Sequence, residues 1–448
     1  MRLKISDILK ATGGKLLCGE EECVITSFFT DSRQAKAGAM FVPIRGERTD
    51  GHDYIPSALE GGAATFTDHE IPTGEKPIVL VKDCREALQK SAGWYRSQFT
   101  LPIVGITGSV GKTTAKEMVA QALTAKFHVM KTAGNQNSQV GVPITVCGLR
   151  KDHTAAVVEM GVSMPGEMAR IAAVVRPTCA VMTNIGVSHI EFMKTRENIL
   201  REKSHIADYL PEDGALFVNG DDDLLPTLKD TLGKKVVTFG LGPNCDWRAF
   251  SLKEADKGTF FPCQSPEGER LEVFVPAAGQ HNVRNALAAM AVARYLGVPA
   301  EDAVRAISAY KAPAMRQQVV EAHGLVIIDD SYNASPDSMR SALDVLATRQ
   351  VTGRRVAVLA DMLELGDFAQ QGHWDVGRYA REKGVDLVLG IGPLSKEIVA
   401  GYGEGGLWFE TNAQAIACLK ETLREGDAVL VKGSRGMATD EIVAALKE

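Results

Sequence analysis

Residues 107–114 read Thr-Gly-Ser-Val-Gly-Lys-Thr-Thr, and the chemistry open to such a run is phosphate binding. Gly108 and Gly111 permit a tight turn in which successive N–H groups point inward at anionic oxygens, with Ser109 between them. Lys112 brings a full charge for the β- and γ-phosphates, and the Thr113 hydroxyl suits Mg2+. Thr114 completes the set. An apolar strand, Leu101 to Thr107, precedes the turn, and an apolar-periodic helix from about Thr113 to Lys126 follows it. The helix N-terminus adds partial positive charge at the same point. One position departs from the general phosphate loop, which has Gly five residues before Gly111. Here that residue is Ile106, with Gly105 one place off. Strand, turn and helix fall in order, so nucleotide binding is the expectation.

Other polar residues sit where strands end. Glu159 closes the run Ala-Val-Val-Glu-Met-Gly161. A carboxylate there, beside a phosphate loop, is a candidate Mg2+ ligand, because Mg2+ takes hard oxygen donors; an ordinary strand-end acid is the alternative. His189 follows a third strand in Asn184-Ile-Gly-Val-Ser-His-Ile-Glu191. Lys203 lies in Arg201-Glu-Lys-Ser204, where the residues alone predict a solvent-facing helix lysine. Asn135 and Asn137 lie in the polar loop Gly134 to Pro143 and could bond a substrate or simply make turns. Asn282 and Asn285 open an Ala-rich helix, where Asn282 is placed to cap. Arg316 and Asp330 come later, Asp330 just after an apolar strand.

These residues need elements to hold them. A chain of 448 residues predicts about three domains, each third burying a core of its own. Residues 1–99 are short mixed segments with turns at Gly13-Gly14, Asp50-Gly51 and Gly61-Gly62. From 100 to 313, strands near 103, 155, 179 and 214 alternate with helices, which predicts a parallel sheet covered on both faces. A β-rich stretch, 236–277, precedes a helix from Asn282 to Leu296. From 314 to 448, strands at Leu325–Asp329, Arg355–Leu359, Asp386–Leu389 and Ala428–Val431 predict a second doubly wound unit. The fold class is therefore α/β in three domains: a small N-terminal α/β module, a central parallel-sheet domain of P-loop type, and a Rossmann-like C-terminal domain.

Bulk composition excludes some functions. The formal charge of -6 argues against non-specific nucleic-acid binding and against affinity for anionic membranes. Eight scattered cysteines with no C-x-x-C pair do not make a disulfide scaffold. The N-terminal residues lack an apolar signal core, and no run of 18 apolar residues occurs. The expectation is a cytoplasmic protein that binds no nucleic acid and enters no membrane.

The Thr-Gly form of the phosphate loop resembles that of the Mur ligase family. Further segments carry the resemblance across the chain: Asn-x-Asn before Gly-x-Pro, the Gly279–Asn285 run, Ala360-Asp-Met-Leu-Glu-Leu-Gly366 and Val431-Lys-Gly-Ser-Arg-Gly436. So do Thr30-Asp-Ser-Arg33, Phe41-Val-Pro43 and Asp50-Gly-His-Asp-Tyr-Ile55. The resemblance implies ATP and Mg2+ as cofactors, with Thr113 and Glu159 at one Mg2+. It implies His189 at a second, with Lys203 at the position of a carbamylated lysine. It places Asn282 and Asn285 near adenine, Asp330 near ribose, and Arg316 at the phosphates after domain closure. Ser32 and Arg33 would meet the uridine diphosphate of a UDP-muramoyl substrate.

Within the family, Asp329-Asp-Ser-Tyr-Asn-Ala-Ser-Pro336 resembles the branch that adds D-alanyl-D-alanine, which has Tyr-Asn-Ala where Tyr332 and Asn333 stand. Ser335 departs mildly, at a place where Asn is frequent. The segments typical of the diaminopimelate- or lysine-adding branch and of folylpolyglutamate synthases are absent. The implied reaction joins UDP-N-acetylmuramoyl-tripeptide to D-alanyl-D-alanine through an acyl-phosphate, on a monomer. Whether residue three of the tripeptide is lysine or diaminopimelate stays open. Three rivals stand beside this reading: a Mur-type ligase for another amine, a nucleotide-dependent switch, and an inactive partner protein. The switch predicts a guanine-reading Asn-Lys-x-Asp, which the chain lacks.

Overall fold

The run Ile-Val-Gly-Ile-Thr107 is apolar along both of its faces, which suits a strand covered on both sides. In the computed structural model, which describes residues 1–46, 49–255 and 257–448, all of Ile103–Thr107 is buried. It pairs in parallel with Ala155–Glu159 on one side and Cys179–Met182 on the other. The parallel array continues through Ala215–Asn219, Lys235–Gly240 and Trp247–Ala249. Val129–Lys131 adds a parallel edge strand beside Ala155–Glu159, and antiparallel strands Lys253–Ala255, Gly258–Gln264 and Arg270–Val275, in the β-rich stretch expected from sequence, complete a sheet of ten strands. Because the central strands are parallel, the phosphate loop, Glu159 and Asn184 emerge at the same edge of the sheet. That carboxyl edge is where open α/β sheets bind ligands.

A second sheet carries Leu325–Asp329, Ala428–Lys432, Arg355–Ala360, Leu387–Ile391 and Leu407–Phe409, all parallel and in that spatial order. This is the doubly wound unit predicted. It also has an antiparallel edge strand, Gln318–Ala322, that sequence reading did not anticipate. A five-stranded sheet near the N-terminus contains Ser27–Phe29, Ala39–Phe41, Ala64–Thr67, Ile78–Leu80 and Lys15–Cys18. No helix among the described residues is long and apolar enough to cross a membrane.

The cores bear out the expectation and add to it. The N-terminal sheet buries a small core of its own on one face, built from Phe29, Ala39, Phe41, Ile55, Ala58 and Ala63, and shares the core on its other face with the central domain. Leu3, Ile8, Met40 and Phe66 belong to one continuous cluster with Ile103, Val146, Met168 and Leu216. The helix Cys84–Arg96 joins the two, burying Ala87, Leu88, Ala92 and Tyr95. Gln89 and Arg96 reinforce the join: Gln89 donates to Gln139, and Arg96 to the carbonyls of Val175 and Arg176. A five-stranded sheet of such short strands builds only a small core alone, and the shared face supplies the rest. The C-terminal sheet has its own clusters on both of its faces.

Candidate active site

The phosphate loop is held open by a neighbour. The N–H of Ser109 donates to the Asn184 carbonyl at 3.0 Å, and that of Val110 to Asn184 Oδ1 at 2.8 Å. Ser109 Oγ in turn accepts from the Gly186 N–H. The helix Lys112–Leu123 then starts on Gly111, which lies in the left-handed region and offers no side-chain cap. First-turn N–H groups have no intrahelical acceptor, so those of Lys112, Thr113 and Thr114 are left for a ligand. Lys112 folds back, its Nζ donating to the Gly108 and Ser109 carbonyls. Burial holds the Lys112 ammonium below its ordinary pKa; Glu159 opposes this and Arg316 adds to it.

Glu159 is the electrostatic centre. It is 1 % exposed. Its Oε1 accepts from Asn137 Nδ2 at 2.8 Å and from Thr113 Oγ1 at 3.1 Å. Its Oε2 is buried with no hydrogen-bond partner, and Lys116 Nζ stands 3.7 Å away. A buried carboxylate oxygen without a partner is costly, and a hard cation satisfies it. The donors present, a carboxylate and the Thr113 hydroxyl, therefore fit Mg2+. Lys116 itself is buried and donates to the Thr132 carbonyl.

The C-terminal sheet faces this centre across a cleft of about 1500 Å³. Arg316, Gln317, Asp330, Tyr332, Asn333 and Lys432 line it from that side. Met315 and Gln317 both have positive φ and flank Arg316, whose guanidinium carbon stacks 4.1 Å from the Tyr332 ring centre. His281, on the opposite wall, is hydrogen-bonded through Nε2 to Gln317 Oε1 at 2.9 Å. Asp330 is buried and paired with Lys432 Nζ at 2.7 Å.

The loop after Asn184 docks onto the C-terminal body. Gly186 comes so close to Asp337 that a Cβ there would stand 2.0 Å from its Oδ2. His189 Nδ1 lies 2.6 Å from Glu364 Oε2, and the contact holds the Glu364 carboxyl below its usual pKa. His189 and Glu364 both adopt positive φ.

The residues expected from sequence divide into groups. The loop residues Ser109, Gly111, Lys112, Thr113 and Thr114 line one cleft with Asn137, Glu159, His189, Asn282, Asn285, Arg316, Asp330, Tyr332 and Asn333. Gly108 turns beneath the loop at φ 146. Asn282 does not cap its helix. Gly279 occupies that position, and Asn282 Nδ2 donates to the Ala278 carbonyl one turn back. Asn285 packs on the phosphate loop, where a Cβ on Gly111 would stand 3.7 Å from its amide. Lys203 is not solvent-facing: it is 2 % exposed. Burial, with help from Lys112 and against Glu202 and Glu167, pushes its pKa down to about 7.

Three expected contacts stay outside the cleft lining: Ser32, Arg33 and Asn135. Arg33 is 87 % exposed and chelates Asp31, two residues away, because its short 3-10 turn projects it outward. Asn135 is exposed on its loop. Sequence reading missed Asn184, Lys432, His281 and Arg85, which also line the cleft. Lys432 ends a buried strand, the same signal that picked out Glu159, and Asn184 follows one by two residues.

Family models fit the chain in three consecutive segments. The Mur ligase family catalytic-domain model covers 24–95, the Mur ligase middle domain 106–293, and the Mur ligase glutamate ligase domain 315–435. The chain belongs to the Mur ligase family. The UDP-N-acetylmuramoyl-tripeptide–D-alanyl-D-alanine ligase of Bacillus subtilis (strain 168) is 36% identical over 441 residues, covering 96% of this chain and 94% of that protein. The ligase of the same name from Escherichia coli (strain K12) is 35% identical, covering 94% and 93%. A crystal structure of MurF from Acinetobacter baumannii superposes with a TM-score of 0.92 at 31% identity, covering 100% and 99%. MurF ligase from Thermotoga maritima, solved in complex with ADP, gives 0.84 at 28% identity over 94% of this chain and 97% of that one.

Proposed function

We propose that this Mur ligase joins D-alanyl-D-alanine to UDP-N-acetylmuramoyl-tripeptide, with ATP converted to ADP and phosphate, in peptidoglycan precursor synthesis. One observation carries the reading: the phosphate loop and the buried Glu159 centre face Arg316, Asp330 and Tyr332 across a single cleft. The full-length likeness to ligases of that name supports the substrates.

The terminal carboxylate of the tripeptide attacks the γ-phosphorus. A carboxylate O–P bond forms, the bond to the β-phosphate oxygen breaks, and ADP leaves. Lys112 and the first-turn N–H groups hold the phosphate oxygens, and Arg316 offsets charge on the group in transfer. The amine of D-alanyl-D-alanine then attacks the acyl carbon; the C–N bond forms, the C–O bond breaks, and the amine gives up a proton as phosphate departs. Activation is needed because a carboxylate is a poor electrophile. Thr113 and Glu159 would hold Mg2+, which shields phosphate charge when bound. His189 and Lys203, the latter as a carbamate, would serve a second ion; the depressed Lys203 pKa supplies the neutral amine that reaction with CO2 requires.

We read 1–99 as the UDP-muramoyl-binding unit, 100–313 as the ATP-binding unit and 314–448 as the unit that receives the dipeptide, with Tyr332 and Asn333 at the substrate. The protein is read as a monomer. The decisive assay is phosphate release from ATP and Mg2+ with UDP-muramoyl tripeptide, with and without D-alanyl-D-alanine. Release that needs both, with a pentapeptide product by mass, is expected. Release driven by a single amino acid instead would assign the chain to another branch of the family.

A further inference from the structure

Among the described residues 1–99, Arg85 alone lines the cleft. It is the second residue of the helix Cys84–Arg96, whose cap is Asp83. A cation in the first turn of a helix opposes the helix dipole. Asp83 Oδ1 accepts from the Glu86 N–H, and Arg85 makes no ion pair among the described residues. Glu167, an acid that also lines the cleft, makes no ion pair with Arg85; its Oε2 accepts from the N–H groups of Ser163 and Met164. A locally unfavourable, unpaired guanidinium over a cleft is what a site awaiting an anion leaves behind.

Arg85 is exposed, and the helix that carries it is fixed. Gln89 lies one turn further along the same helix face. Its amide is clamped to Gln139 by two contacts of 3.1 Å. Gln139 is two residues from Asn137, which bonds Glu159. Arg85 therefore overhangs the end of the cleft that leads to the reacting centre, and it belongs to the unit that receives the muramoyl substrate.

The anion follows from chemistry. A related Acinetobacter baumannii ligase is described as acting on a UDP-N-acetylmuramoylalanyl-D-glutamyl-2,6-diaminopimelate. Glutamate and diaminopimelate carry two carboxyls each, so such a peptide retains free carboxylates besides the one activated. Lys112 and Arg316 are committed to phosphate. We propose that Arg85 is a specificity residue that binds a free carboxylate of the peptide, distinct from the one activated, by a charge-assisted, bidentate contact. This rests on the functional reading given above.

The test compares UDP-muramoyl tripeptide with an analogue whose non-terminal carboxyls are amides. Wild-type protein should lose about 10- to 100-fold in kcat/KM on the analogue, the loss falling in KM for the nucleotide-peptide. Arg85→Ala should treat the two substrates alike, and Arg85→Lys should recover part of the preference. An ADP-induced thermal shift equal to that of wild type establishes that Arg85→Ala is folded. A variant that still prefers the free acid by the wild-type factor would overturn the assignment, as would a wild-type protein indifferent to amidation. Wild-type protein inactive on the free tripeptide would overturn the functional reading and this assignment with it.

Discussion

Glu159→Gln tests the metal reading with little change of shape. The amide can keep one oxygen toward Asn137 Nδ2 and Thr113 Oγ1, the partners of Oε1. What it removes is the charge, and with it the buried Oε2 that has no hydrogen-bond partner. Two consequences differ in size. For stability, the lost term is attraction to Lys116 Nζ at 3.7 Å; at an effective dielectric of about 20 that is roughly 4 to 5 kcal/mol before desolvation. Most of it is offset, because Lys116 retains Glu117 at 3.1 Å and the Thr132 carbonyl at 2.9 Å, and because the desolvation cost of a buried charge disappears. A net loss of about 1–2 kcal/mol remains, a Tm shift of a few degrees. For activity, the variant loses an anionic ligand at a dication, and a fall in ATP-dependent phosphate release of about 10²-fold or more is expected. The Mg2+ concentration for half-maximal rate should rise at least about tenfold. Titrating Mg2+ into both proteins at saturating ATP, with Tm measured in parallel, separates the two effects. A variant with the wild-type Mg2+ dependence would refute the reasoning, and Glu159 would then be only the counter-charge of Lys116.

Other perturbations probe the rest of the site. Gly108→Ala puts a Cβ 1.9 Å from Thr183 Oγ1 at φ 146, whereas Gly111→Ala meets nothing nearer than 3.7 Å at φ 84. Chemical denaturation should show about 3 kcal/mol or more lost for the first and about 1–2 for the second. Lys203 has a folded pKa of about 7 against an ordinary 10.5, so between these values the unfolded chain binds the extra proton. Stability from this group is thus complete above about pH 10.5 and declines as pH falls toward 7; Lys203→Met should flatten that slope in urea melts at pH 7.5 and 9.5, values chosen at about the ends of the window. Glu364→Ala breaks the 2.6 Å contact to His189. With Glu364 half exposed, the cost should be about 0.5–1 kcal/mol, read as hydrogen exchange about two- to fivefold faster in residues 184–191 with Tm nearly unchanged.

The sequence by itself determined what is local. The phosphate loop was legible because its glycines, lysine and threonine act through the backbone of one turn, and flanking periodicity placed that turn between strand and helix. Glu159 was legible because an acid closing an apolar run must emerge at a sheet edge. The parallel sheets followed from strands covered on both faces. Tertiary structure decided the rest. Lys203 sits on Arg196–Ser204, a helix charged all round, so no periodicity could reveal that packing buries it. Arg33 and Asn135 are exposed and lie outside the cleft lining, a placement that only the fold sets. Lys432 and Asp330 are 102 residues apart, and only the strand order sets them side by side. The N-terminal sheet buries one face in a small core of its own and shares the core on its other face with the central domain. That shared core is what carries Arg85 to the cleft, since burial depends on which faces meet, and no local spacing records it.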